Sequence, residues 1–170
     1  EIGEILGAIR ESFALQPDSE LTMEANPDTV DLEYLKAVYA LGINRLSYGV
    51  QSAVERELSA LGRKHTFPRA VQAVEEARKA GFLNLSLDLM LGIPYQTEGS
   101  LRETLGAILA LRPEHLSCYL LKIELGTPFA KRRAEKDCPS DDEAADFYLL
   151  TCQTLREAGF GHYEISNFAR

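Results

Sequence analysis

The residues best suited to chemistry in this sequence stand at or near the ends of short apolar runs. Glu24 closes the run from Glu20, Gln51 follows Asn44–Gly49, and Asp88 lies inside Leu85–Leu91, where leucine recurs at alternate positions. Lys122 with Glu124, and Glu164 with Ser166, follow two more such runs. Carboxylates and an amide offer hydrogen-bond acceptors, and an ionised carboxylate also offers a field for a cationic ligand. A carboxylate within a leucine-rich strand is costly to bury unpaired, so Asp88 requires a partner, a ligand or both. Arg63 adds a planar cationic fork that suits a carboxylate. His65, two residues on, has the chemistry of a metal ligand, but in a polar loop a hydrogen bond to a carbonyl or carboxylate is the commoner use. Taken singly, each acid would serve as well to cap a helix or to pair with an arginine. Agreement among five segments is what favours a shared site.

The three cysteines, Cys118, Cys138 and Cys152, are too widely spaced to form a metal clip. They read as free thiols, Cys118 on a strand and Cys152 on a helix. No catalytic residue and no metal ligand is assigned within this sequence. Any iron–sulfur cluster would draw its ligands from elsewhere.

These residues need elements to hold them. Strands are expected near Glu20–Glu24, Asn44–Gly49, Asn84–Met90, His115–Leu121 and His162–Ile165. Helical spacing fills the intervals: Ile2, Ile5, Leu6, Ile9 and Phe13 first, then Leu32 to Tyr39, a helix-rich stretch from Ala53 to Ala80, and Gly99 to Leu111. Ser140-Asp141-Asp142-Glu143 is a capping box that opens the last helix, with an expected inner face of Ala145, Tyr148, Leu149, Cys152 and Leu155. Gly81 and Gly159 close helices. Strand and helix alternate without a hairpin signal, so the strands should be parallel. A doubly wound sheet and a barrel both fit. The polar strand ends favour the barrel, where all such ends converge on one mouth. The expected fold is thus α/β, a partial (β/α) TIM-type barrel of about five parallel strands with outer helices. Residues 1–170 would form a single domain, with the first strand as an exposed edge open to pairing with a second copy or to covering by the first helix. Because the pattern is already under way at Glu1, the sequence reads as a piece of something longer.

Composition narrows the function classes. The chain has 170 residues, 45% hydrophobic and 26% charged, with a formal net charge of −8. That charge disfavours general attraction to nucleic acid or anionic lipid, and no apolar run reaches the roughly 20 residues of a membrane span. A cytoplasmic location is expected. The basic run Lys131-Arg132-Arg133 reads as a solvated loop.

Several strings are more specific than the strand–helix alternation. They are Glu24-Ala25-Asn26-Pro27, Asn44–Ser52, Leu61-Gly62-Arg63-Lys64-His65, Leu87–Thr97 with its Gly92-Ile93-Pro94, Ile123–Phe129 and Tyr163–Arg170. In this order and spacing they resemble the oxygen-independent coproporphyrinogen III oxidase family of radical S-adenosylmethionine (SAM) proteins, over essentially the whole chain. Ala25-Asn26-Pro27, Gly62–His65 and Ser166-Asn167-Phe168-Ala169 are similar to the family's heme chaperone branch rather than to its oxidases. The resemblance implies SAM contacts at Glu24, Gln51, Arg63, Asp88 and Lys122. At the Lys122 position the family often has a small residue and uses the backbone. It further implies a [4Fe–4S] cluster whose ligands precede this sequence, heme or porphyrin as a ligand, and a reductant protein as a partner. An oxidase that converts propionates to vinyls with a 5′-deoxyadenosyl radical is the alternative. A barrel hydrolase or aldolase using Glu24, Asp88 and Glu164 is a weaker one, since no lysine stands at a strand centre to form a Schiff base.

Overall fold

The computed structural model describes residues 1–132 and 134–170. Its elements run α1 (Ile2–Ser12), β1 (Thr22–Ala25), α2 (Leu32–Ala40), β2 (Arg45–Gln51), α3 (Glu55–Ala60), α4 (Phe67–Ala80), β3 (Asn84–Leu91), α5 (Glu98–Ala110), β4 (His115–Leu120), α6 (Pro128–Lys131), α7 (Asp141–Glu157), β5 (Gly161–Glu164) and β6 (Asn167–Ala169). The expected boundaries of β1 to β4 hold to within two residues. The long helical stretch is two helices, broken where Gly62 takes a positive φ of 73°. Caps follow local chemistry. Gly81 ends α4 in the left-handed region, and Ser140 with Glu143 forms the capping box of α7.

One sheet holds the strands in the order β1-β2-β3-β4-β6-β5. The first four are parallel and sequential, as in a (β/α) barrel, and the sheet does not close. Among the described residues β1 has a single strand neighbour and forms one edge of the sheet. α1 is tied to the end of α2, where Arg10 donates to the Leu41 carbonyl at 2.6 Å.

The expected fifth parallel strand is not formed. β5 and β6 make an antiparallel hairpin, and β6 pairs antiparallel with β4. The cause lies in the turn, where the Glu164 carboxylate accepts from the Ser166 amide at 3.0 Å and from Asn167 Nδ2 at 2.7 Å. That Asx-like closure reverses the chain without glycine or proline. On α7, Tyr148, Cys152 and Leu155 pack on the core as expected, whereas Ala145 and Leu149 are exposed and the face is completed by Phe147 and Thr151. Thr151 can be buried because its hydroxyl donates to the Phe147 carbonyl at 2.8 Å.

The strand register sorts side chains onto two unlike faces, since directly paired residues project to the same side. One layer, Tyr48, Leu87, Leu116 and Phe168, is fully buried in the core. The opposite layer is polar: Glu24, Ser47, Ser86 and His115 are aligned, followed by Gly49, Asp88, Ser117 and Asn167. In a barrel, the outer helices cover the first face and the second faces the interior.

Candidate functional site

The polar face culminates in a cavity of about 320 Å³ lined by Glu24, Ala25, Asn26, Ser47, Gly49, Gln51, Arg63 and Asp88. Each functional side chain arrives by its own local device. Glu24 is exposed on the edge strand β1, opposite Ser47. Asp88 stands in β3, between Gly49 and Ser117 of the flanking strands, and accepts from the Ser47 hydroxyl at 3.1 Å. Burial pushes its carboxyl above the ordinary aspartate range. Hydroxyls of Ser117 and Ser47 pull it back, Glu24 raises it further and Arg45 lowers it.

Gln51 depends on a β-bulge. Between Gly49 and Gln51 the register with β3 slips by one residue, and Gln51 adopts φ 70°, unusual for a residue other than glycine. Its side chain folds back over Gly49, where an added Cβ would meet Gln51 Nε2 at 2.9 Å. The same Cβ would lie 3.7 and 3.8 Å from the Arg63 guanidinium nitrogens. A bare glycine thus leaves room for both groups.

Arg63 is placed by the end of α3. Gly62 N–H donates to the Ser59 carbonyl and Arg63 N–H to the Leu58 carbonyl, each at 3.0 Å, the paired bonds of a Schellman motif with glycine in the left-handed position. His65 then turns inward, 3% exposed, with Nε2 at 3.2 Å from the Val50 carbonyl. It is a backbone-bonded histidine, the commoner of the two uses considered above.

Among the described residues, nothing hydrogen-bonds or ion-pairs with the Arg63 guanidinium, the Gln51 amide or the Glu24 carboxylate. These are a cationic fork, an amide and an anion with free bonding capacity around one small space. That array can bind a zwitterion: the fork takes a carboxylate, and the acids take an ammonium or hydroxyls.

Four of the five residues singled out from the sequence therefore meet. Lys122 does not join them through its side chain, which is exposed, pairs with Glu124 at 2.8 Å and lines a different cavity beside Gly92 and Cys138. Glu164 is occupied in the β5–β6 turn, and hydrogen bonds from the Ser166 amide and Asn167 hold its carboxyl below the usual range. Of the basic run, Arg132 lies over the Phe129 ring at 4.9 Å, and Arg133 is outside the described residues. Sequence reasoning missed Gly49, Ser47 and Ser117. The signal was there in the parallel openings Arg45-Leu46-Ser47, Asn84-Leu85-Ser86 and His115-Leu116-Ser117, which put a serine on the polar face of three adjacent strands.

The described residues contain no group of three or more His, Cys, Asp or Glu side chains placed to hold a metal. Burial pushes the thiols of Cys118 and Cys138 up, away from the thiolate form that binds iron. These residues do not fit an iron–sulfur cluster.

Fold and cavity together define a partial (β/α) barrel whose strand ends gather Glu24, Gln51, Arg63 and Asp88 around one cavity. The chain belongs to the radical SAM superfamily, whose signature covers residues 1–108. It is 38% identical over 168 residues to the heme chaperone HemW of Mycobacterium tuberculosis, an alignment spanning 98% of this chain and 43% of that protein. It is 40% identical over 171 residues to the mitochondrial radical S-adenosyl methionine domain-containing protein 1 of Bos taurus, covering 99% of this chain and 39% of the relative. The solved structure of the Escherichia coli coproporphyrinogen III oxidase HemN, a radical SAM enzyme, superposes with a TM-score of 0.88 at 30% identity, over 99% of this chain and 39% of that one. The chain thus spans about two fifths of the length of these relatives. The fold is likewise shared with Elp3 of Methanocaldococcus infernus, at a TM-score of 0.69 and 20% identity.

Proposed function

We propose that the cavity bounded by Glu24, Gln51, Arg63 and Asp88 holds SAM, in a protein that binds heme and delivers it as a chaperone. The observation that carries the SAM reading is the convergence of Arg63, Gln51 and Glu24, all without partners among the described residues, beside half-buried Asp88. Arg63 takes the α-carboxylate through its fork. Glu24, Gln51 and Asp88 accept from the ammonium and the ribose hydroxyls, and the two acids set negative charge near the sulfonium. When bound with a reduced cluster, SAM supplies a 5′-deoxyadenosyl radical. The cluster's ligands come from outside the residues described. Lys122 takes part, if at all, through its backbone.

The chaperone reading is supported by identities of 38% and 39% to HemW of Mycobacterium tuberculosis and Synechocystis. The HemN superposition supports the second reading, oxidative decarboxylation of coproporphyrinogen III. Residues 1–170 act as one domain of this protein. A reductant protein would feed the cluster, and the free edge of β1 is the surface through which copies of this chain would associate. No helix is long and apolar enough to cross a membrane among the described residues.

The test uses the intact protein under anaerobic conditions. Calorimetric titration with SAM should give binding that Arg63→Ala or Asp88→Ala weakens by about 2–5 kcal/mol, the usual cost of truncating a desolvated charged contact. Unchanged affinity in both variants refutes the site. Multiple-turnover decarboxylation of coproporphyrinogen III, with SAM and a reductant, would replace the chaperone reading by the oxidase.

A further inference from the structure

The Val50 carbonyl is the hub of the site. Val50 is the extra residue of the β2 bulge, and its carbonyl accepts from two donors: the Ser52 amide at 2.9 Å and His65 Nε2 at 3.2 Å. A carbonyl can only accept, so Nε2 carries the hydrogen and Nδ1 is left with a bare lone pair. That Nδ1 is buried and has no partner. An unsatisfied buried acceptor costs stability, and a leucine or phenylalanine here would avoid the cost. What histidine provides in return is, among the described residues, the one side-chain bond from the Arg63 loop to the bulge.

The two segments have unequal support. Ser52 fixes the bulge from the far side: its hydroxyl donates to the buried Glu57 carboxyl at 2.5 Å and also accepts from the Val54 amide at 2.9 Å. Arg63 is anchored on its N-terminal side by the α3 Schellman bonds. Beyond Arg63, the chain is held against the bulge by His65. We propose that His65 is a positioning residue, locking the Arg63 loop onto the Val50 carbonyl so that the guanidinium stands over Gly49 and faces the ligand's carboxylate. This rests on the SAM reading above.

The test is a double-mutant cycle on the intact protein. Binding is read by anaerobic calorimetry with S-adenosylhomocysteine, which keeps the amino-acid carboxylate, and with methylthioadenosine, which lacks it. His65→Leu should weaken S-adenosylhomocysteine about tenfold, near the upper range for one lost hydrogen bond. In an Arg63→Ala background the same change should cost less than about twofold, because its effect passes through Arg63. Methylthioadenosine affinity should not change. Gln places a donor at the reach of Nε2 and Asn at that of Nδ1, so His65→Gln should retain affinity and His65→Asn should lose it, even if the leucine variant does not fold. Equal losses in the two backgrounds, wild-type affinity in His65→Leu, or equal affinities for Gln and Asn would overturn the proposal. If Arg63→Ala itself leaves S-adenosylhomocysteine binding unchanged, the SAM reading fails and this inference falls with it.

Discussion

Gly49→Ala separates the site from the fold. Gly49 is a β2 residue outside the left-handed region, so alanine costs no backbone strain, and loss of glycine's flexibility favours folding by about 0.5–1 kcal/mol. The new methyl would meet Gln51 Nε2 at 2.9 Å, closer than such contacts allow, and would come within van der Waals contact of the Arg63 guanidinium at 3.7 Å. The atom that must yield is the far end of a flexible side chain, so the fold absorbs the change. The site does not: the Gln51 amide is pushed off the floor of the cavity. Losing one neutral hydrogen bond to the ligand costs about 0.5–1.5 kcal/mol, or roughly a two- to tenfold loss of affinity. The assay pairs calorimetric titration of SAM with urea unfolding of the same preparation. The expected result is weaker binding at unchanged or slightly higher stability. Wild-type affinity at wild-type stability would show that Gln51 does not touch the ligand.

Glu57→Leu removes the acceptor of the Ser52 and Ser100 hydroxyls, both 2.5 Å from carboxyl oxygens of a residue 1% exposed, and leaves fully buried Ser52 only the Thr104 hydroxyl at 3.4 Å. A loss of about 2–5 kcal/mol in urea unfolding is expected, and a loss under 1 kcal/mol would refute the network. Asp88 has a raised pKa when folded, so its folded form holds the proton more tightly. Its contribution to stability is fully present below the unfolded value near 3.8, falls as pH rises toward the folded pKa, and is flat above it. Asp88→Asn should therefore be more stable than the parent at pH 7 and lose that advantage below pH 4; a pH-independent difference would contradict this. By the same titration, SAM affinity should weaken on acidification through that window in the parent, and Asp88→Asn should flatten the profile. Cys118→Ala, Cys138→Ser and Cys152→Ser should each leave the iron content of the reconstituted intact protein unchanged, because these thiols are not cluster ligands.

The strands carrying the site were legible because burial of one face imposes period two, and a lone acid among leucines stands out against it. Asp88 and Glu24 could be found that way. The hairpin was not legible: its strands have four and three residues, and its turn is closed by the Glu164 side chain rather than by Asn-Gly or a similar signal. The α7 face was misjudged at Thr151, whose buried hydroxyl is satisfied within its own helix and so behaves as an apolar residue would. Gly49 escaped for the opposite reason. Its role is to contribute no atoms, and absence of a side chain has no periodicity to detect.

The bulge explains why the neighbourhood of Gly49 carries so much of the site. In an unbroken β2, Gln51 would pair with Met90, held by the ladder about 6.6 Å along the strand from Gly49. The slipped register and the positive φ instead return the Gln51 side chain over Gly49, beside Arg63. Such a conformation costs on the order of 1–3 kcal/mol and persists only where its surroundings over-determine it. Here they do, through three linked hydrogen bonds: His65 on Val50, Ser52 on Val50, and Glu57 on Ser52. A strand that needed only to pack would keep the ladder and discard all three. Their joint presence, around a space where Arg63, Gln51 and Glu24 lack partners of their own, is physical ground for reading this corner as built for a ligand.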